Sequence, residues 1–255
     1  SGRFNNITTY LSALSEGFQL VKNKSITMET ARNGVRLKLN HLDSVEYPMG
    51  AVFTCLAALT STMMGHRERH VSGMTYLTCK TCGYQGNRLL QISEYFQLYN
   101  TGPFQDGIYE RGYISDCLGW HLSDQQKISR IPCPECSSTT YHHPLLLDVS
   151  MNRLPYSMCI MLNKDCFLLN ERLIYSHNSL DVVYNLRGVI YGDGSHFVAR
   201  LITRDGNIWF HDGMTTQSSC IFEGKLGQLL DSNWLTISSK VYNHRKAVLA
   251  IYAQT

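Results

Sequence analysis

Two Cys-x-x-Cys pairs, Cys79-Lys80-Thr81-Cys82 and Cys133-Pro134-Glu135-Cys136, constrain this 255-residue chain more than any other feature it carries. Each pair offers two thiolates from one tight turn, and a zinc ion accepts four of them in a tetrahedron with Zn–S distances of about 2.3 Å. Gly83 and Pro134 suit the turns that such knuckles need. Four thiolates leave no coordination position open, so the expected site is one structural Zn²⁺ held by Cys79, Cys82, Cys133 and Cys136. The competing readings are two coincidental pairs or a redox Cys-x-x-Cys, and two complete pairs favour the metal. His142 and His143 are the substitute ligands nearby, and they read as polar residues at a strand start. Cys117, between the pairs, reads as a small packed residue.

The rest of the composition sets the class. An apolar fraction of 44% and a charged fraction of 17% belong to a globular chain, and there is no low-complexity stretch. Paired Cys-x-x-Cys spacing, and an N-terminal stretch without a basic n-region and apolar h-region, point to a reducing compartment. The expected location is intracellular, cytoplasmic or nuclear, where the sequon Asn6-Ile7-Thr8 has no role. A net charge of +3 with scattered Lys and Arg names no partner. The run from Pro48 to Gly65 carries no charge, but Thr54, Thr60, Ser61 and Thr62 interrupt it. It is expected to be a buried helix that does not enter a membrane.

Apolar spacing at Ile7, Tyr10, Leu11, Leu14 and Phe18, then Val35, Leu37 and Leu39, then Val52 to Met64, predicts a helical lobe. After Gly65 the pattern changes to short β-like runs punctuated by Gly and Pro. Tyr184–Tyr191 and Phe197–Ile202 read as strands, and Arg204-Asp205-Gly206-Asn207 before Ile208-Trp209-Phe210 reads as a hairpin turn. Ala247 to Ala253 is expected to close the sheet as a buried strand. Helices first and an antiparallel sheet afterwards is an α+β order.

With these features in place, their sequence resembles the ubiquitin-specific protease family. Leu154-Pro155-Tyr156-Ser157-Met158-Cys159-Ile160-Met161-Leu162 is similar to the family's "L-P-x-x-L-x-I-x-L" strand, and Tyr184-Asn185-Leu186-Arg187-Gly188-Val189-Ile190 to its "Y-x-L-x-G-V-I" strand. Gly194-Ser195-His196-Phe197-Val198-Ala199 resembles "G-H-Y-x-A", and Trp209-Phe210-His211-Asp212 resembles "W-x-x-F-D/N". Leu42-Asp43-Ser44-Val45-Glu46-Tyr47 resembles the "Q-D-A-x-E-F" helix. Asn5-Asn6-Ile7-Thr8-Thr9-Tyr10 resembles the cysteine box "N-x-G-N-T-C-Y", without its glycine and with Thr9 where the nucleophile belongs. The resemblance implies a papain-like hand: a helical thumb over 1–70, zinc-ribbon fingers over 71–145, and an antiparallel-sheet palm over 146–255. It makes His196 the general base, Asp212 the carboxylate that orients it, and Asn5 or Asn6 the oxyanion donor. A His opening one hairpin strand and an Asp closing its partner can meet across a sheet, as that pairing requires.

Thr9 changes the chemistry. A thiol near pKa ~8.5 ionises beside an imidazole, whereas a threonine hydroxyl is far less acidic and works as a nucleophile when its own free α-amine is the base. An internal Thr9 lacks that amine. Cys55 lies in an uncharged run and reads as buried, and Cys159, Cys166 and Cys220 have no matched base in the sequence. The expectation is a ubiquitin or ubiquitin-like binding domain that is catalytically silent, a pseudo-deubiquitinase scaffold. One alternative is a true deubiquitinating thiol hydrolase whose nucleophile has been replaced. Another is a zinc-ribbon scaffold binding another protein or nucleic acid. The insert counts against nucleic acid, because Arg88, Arg111, Lys127 and Arg130 face Glu94, Asp106, Glu110, Asp116 and Asp124.

Overall fold

The computed structural model describes residues 14–49, 60, 71–75, 77–86, 89–93, 96–98, 112–116, 118, 127–142, 146–147, 156–162, 167–177, 180–192, 196–217, 219–228 and 246–254. Thr9, Asn5, Asn6, Cys55, Cys117, Cys166, His143 and, apart from Thr60, the Val52–Met64 run lie outside the described residues.

Two helices open the described chain, α1 at 14–22 and α2 at Met28–Leu42. Thr27 caps α2, its Oγ1 accepting the Thr30 N–H at 3.1 Å, and Glu29 sits in the first turn, where the positive end of the helix dipole favours it. Val35 and Leu39, four residues apart on one face, pack with Tyr47. Leu37 points away and is 46% exposed, so the three apolar residues expected to form one helix stripe do not. Of the six residues Leu42–Tyr47, which resemble a family helix, Leu42 ends α2 and the other five form a junction. Asp43 is the C-cap of α2 in an extended conformation, and its Oδ1 accepts the Val45 and Glu46 N–H groups to start one new turn. A carboxylate that caps following N–H groups competes with helix continuation, which ends α2 here.

Among the described residues sixteen strands follow. They are β1 (Val71–Thr75), β2 (Leu77–Cys79), β3 (Leu89–Ser93), β4 (Phe96–Leu98), β5 (Gly112–Tyr113), β6 (Lys127–Pro132), β7 (Thr139–His142) and β8 (Leu146–Leu147), then β9 (Ser157–Leu162), β10 (Phe167–Leu168), β11 (Arg172–His177), β12 (Leu180–Gly192), β13 (Phe197–Ile202), β14 (Asn207–His211), β15 (Ile221–Lys225) and β16 (Lys246–Gln254). The largest sheet runs β15-β14-β13-β12-β16-β9-β4, with β11 also paired to β12. β12 is its spine: the first half pairs β11, the second half pairs β13, and β16 follows its other edge. The predicted strands at Tyr184–Tyr191, Phe197–Ile202 and Ala247–Ala253 fall within β12, β13 and β16. The sheet is antiparallel except where β4 joins β9 in parallel, and β5 and β10 form a second parallel pair. The β13–β14 turn is closed by Gly206 at φ +84°, a conformation natural to glycine, with its N–H donating to Thr203 O.

Alternation places the core. Ile160, Leu186, Val189, Tyr191, Ile208, Phe210, Ala250 and Tyr252 are all 0% exposed and belong to one cluster on the large sheet. Arg200 is buried among them and compensated: its guanidinium donates to both Glu223 carboxylate oxygens, at 2.6 and 3.2 Å, and to Tyr191 Oη at 3.1 Å. A β-bulge in the β14–β15 register sets Glu223 at the edge of this cluster. No described helix is long and apolar enough to cross a membrane.

Candidate functional site

The small sheet β2-β7-β6 carries the two knuckles. In the first, Gly83 N–H donates to Cys79 O at 3.0 Å and Cys79 N–H to Tyr84 O at 2.9 Å. In the second, Ser137 N–H donates to Cys133 O and Cys133 N–H to Ser138 O, both at 2.9 Å. Both turns need a left-handed residue four places after the first cysteine: Gly83 at φ +76° and Ser137 at φ +57°. The two knuckles are therefore the same local structure used twice.

Their sulfurs converge. Cys79 Sγ lies 3.6 Å from Cys136 Sγ, Cys82 Sγ lies 3.6 Å from Cys133 Sγ, and all four ligand atoms fall within 4.8 Å of one another. A tetrahedron of thiolates at the usual Zn–S distance has edges of about 3.8 Å, so the set fits one zinc ion with small adjustment. The Cys82 backbone N–H, with lesser help from Thr81, outweighs desolvation and draws the Cys79 thiol down to about 6. The Tyr84 N–H favours the Cys82 thiolate, but desolvation and the three neighbouring sulfurs push that thiol up to about 12. Hydrogen bonds from Ser138 draw the Cys136 thiol down as well, so two sulfurs favour ionisation while Cys82 resists it beside them. A dication at the centre removes that conflict. Lys80 Nζ over the Tyr141 ring, 4.5 Å from its centroid, ties the first knuckle to β7. His142 is the last residue of β7, so it ends a strand that it was expected to start, and the cluster is complete without it.

The second constellation lies on the large sheet. Val198, Arg200 and Ile202 point inward from β13, and Ile208 and Phe210 from β14. His196 and Asp212 extend the same alternation at the same end. Ala199 is opposite His211, so carrying the register one step further sets Val198 across from Asp212 and His196 on the diagonal. The outcome is a His196 Nε2···Asp212 Oδ1 contact of 2.7 Å, with the side chains 20% and 5% exposed. Asp212 is itself held: Oδ1 accepts the Met214 N–H at 2.9 Å, its N–H donates to Thr216 Oγ1 at 3.0 Å, and its carbonyl accepts from Thr216 Oγ1 and from the Thr215 and Thr216 N–H groups. Burial alone would raise the carboxyl, but the Met214 N–H and the His196 imidazole outweigh it and hold Asp212 below the usual carboxylate range. Thr216 and the 213–217 turn were not anticipated, although Asp212-Gly213 followed by Thr215-Thr216 is a readable turn signal.

Chemically, Asp212 Oδ1 can accept a hydrogen bond from the Nε2–H of a neutral His196, which leaves Nδ1 as the basic nitrogen of the ring. Cys159 is buried in β9 and Cys220 is exposed just before β15.

No protein-family profile matches the chain, and no curated protein does. Solved structures do. One, the yeast SAGA DUBm with an Sgf73 mutant, superposes with a TM-score of 0.51 at 13% identity over 89% of this chain and 49% of that chain. Another, the SAGA Ubp8/Sgf11/Sus1/Sgf73 DUB module bound to ubiquitin aldehyde, gives 0.48 at 15% identity over 88% of this chain and 49% of that one. The chain spans about half the length of the chains it resembles. What is shared with the first of them is the fold, in outline a ubiquitin-specific-protease-like domain.

Proposed function

We propose that the chain is a ubiquitin-specific-protease-like domain that binds ubiquitin or a ubiquitin-like protein and does not hydrolyse its linkage. In this reading residues 1–70, 71–145 and 146–255 are thumb, zinc-ribbon fingers and palm. Thr9 stands at the nucleophile position, and Asn5 or Asn6 supplies the oxyanion donor. His196 is the base and Asp212 orients it. The observation that carries the reading is the 2.7 Å His196–Asp212 contact, formed by the same strand pair whose sequences resemble the family's histidine box. The motif order and the shared fold support the ubiquitin-like partner. The tetrathiolate cluster supports a structural zinc ion, which would hold the β2-β7-β6 sheet together and supply no reactive group.

Silence follows from Thr9, whose hydroxyl an imidazole does not ionise as it does a thiol, and whose β-branch fills space that an acyl intermediate needs. A second reading, a competent deubiquitinase site with a substituted nucleophile, draws on how well Asp212 is held, because each of its contacts serves the orientation of His196. Installing Thr9→Cys and adding a ubiquitin-based electrophilic probe separates the two. The silent-scaffold reading, in which the box around Thr9 has lost its glycine as well as its nucleophile, expects no covalent adduct with either chain. An adduct formed by Thr9→Cys and lost on His196→Ala would instead establish a competent site.

A further inference from the structure

The large sheet is well covered at β9 and β16 but open at β13–β15. On β13, Phe197 and Leu201 are 39% and 48% exposed, while Val198, Arg200 and Ile202 between and beside them are buried. The register carries this outward row sideways: Leu201 is opposite Trp209 and Trp209 is opposite Phe222, itself 54% exposed. The Trp209 and Phe222 rings meet with centroids 5.3 Å apart and planes inclined at 59°. The strip crosses three neighbouring strands on the face opposite the His196–Asp212 pair, because those two side chains follow the inward alternation. A row of large apolar residues across adjacent strands, exposed at Leu201 and Phe222 and half-buried at Trp209, marks an interaction surface more than chance exposure does.

Charge says what kind. Lys225 is opposite Asn207, two residues along β14 from Trp209, and so emerges on the same face. Arg204 stands in the β13–β14 turn, and Arg187 reaches that turn to donate to Thr203 O. Of the nearby acids, Asp205 keeps its charge beside Lys225 and accepts from Thr203 Oγ1 and Asn207 Nδ2, so Lys225, Arg204 and Arg187 outnumber it, and Glu223 turns to the opposite face to pair with Arg200. The strip is apolar along its length and cationic at its turn end.

We propose that this outer face of the β13–β15 hairpin docks an acidic segment of a partner protein that carries bulky apolar side chains. Such a segment lays aromatic or aliphatic groups on Leu201, Trp209 and Phe222 and its carboxylates at Lys225, Arg204 and Arg187. The His196–Asp212 face stays open, so docking here and ubiquitin binding are compatible. A single-stranded nucleic acid fits less well, since base stacking needs open ring faces and these two aromatic rings are inclined into each other beside an aliphatic leucine. A second copy of the chain presents the same cations where carboxylates are needed.

The test is fluorescence anisotropy on the zinc-loaded chain, with a labelled short peptide alternating Glu or Asp with Leu or Phe, its twin with Lys for every acid, and oligo(dT). The acidic peptide is expected to bind saturably and to weaken as salt rises. Phe222→Ser should weaken it by about tenfold, and Lys225→Glu should weaken it as well. Both substitutions are exposed, and unchanged circular dichroism shows that the variants fold. Failure of the acidic peptide to saturate, equal binding of the Lys twin, preference for oligo(dT), or indifference to Phe222→Ser would each overturn the proposal. So would a dimer in sedimentation that Phe222→Ser dissociates while peptide binding is absent.

Discussion

A methyl group placed on Gly192 would lie 2.7 Å from Phe197 Cε1, closer than carbon atoms approach. Gly192 is opposite Phe197 at the end of the β12–β13 pair, and Phe197 follows His196 directly. Gly192→Ala should displace the ring and the start of β13 with it. The half-exposed ring has room to move, so the melting temperature should change little while the His196 imidazole ¹⁵N shifts change clearly. Unchanged shifts would remove Gly192 as a positioning residue. Asp212 gives a pH prediction. Its folded pKa is lowered, so the folded state binds fewer protons than the unfolded one between the two values. Its contribution to stability is fully present above the unfolded value of about 3.9 and is lost as pH falls through the folded value. Asp212→Asn should flatten that acid limb in denaturant titrations and shift His196 away from the Nε2–H tautomer. Arg200 and Glu223 behave differently. Glu223→Ala leaves a buried guanidinium without its carboxylate and should cost about 3 kcal/mol in urea unfolding. A loss below about 0.5 kcal/mol would mean that the pair is solvated like a surface bridge.

Among the elements, the repeated knuckle carries the sharpest contrast. Ser137 holds a left-handed conformation that its counterpart Gly83 adopts without a Cβ penalty. Ser137→Gly should gain about 1 kcal/mol of stability and slow zinc loss to a chelator, and Gly83→Ala should do the reverse by a similar amount. Mass spectrometry under native conditions should find one zinc per chain, abolished by pairing Cys82→Ser with Cys136→Ser. Chelation should loosen β2-β7-β6, seen as faster amide exchange there, while β12 and β16 stay protected. These knuckles were legible because a Cys-x-x-Cys turn is specified by a few adjacent residues. So was the β13–β14 hairpin, where Asp205-Gly206 sits between alternating runs. The junction at Asp43 was not, because a helix that stops and restarts at one Asp has nearly the composition of one that continues. The parallel pairs β4–β9 and β5–β10 were equally hidden, since three-residue and two-residue strands have no periodicity and owe their partners to distant sequence.

At the level of the whole molecule, the sequence predicted which residues could meet before it predicted how. His196 and Asp212 were proposed as a pair from a motif resemblance, and the register of one antiparallel pairing brings them to 2.7 Å. The outward strip at Leu201, Trp209 and Phe222 was invisible beforehand, because each residue sits in a different strand and only the sheet aligns them. The same holds for Arg200, whose burial depends on a bulge that aims Glu223 at it from β15. Net charge and composition carried none of this. Binding of ubiquitin or a ubiquitin-like protein is the proposed property, and it can be measured without any reaction taking place. Calorimetric titration of the zinc-loaded chain with ubiquitin, and in parallel with ubiquitin-like proteins, should give saturable one-to-one binding to at least one of them. The absence of heat and of NMR shift changes with every one of them, from a chain that is folded and metal-loaded, would contradict it.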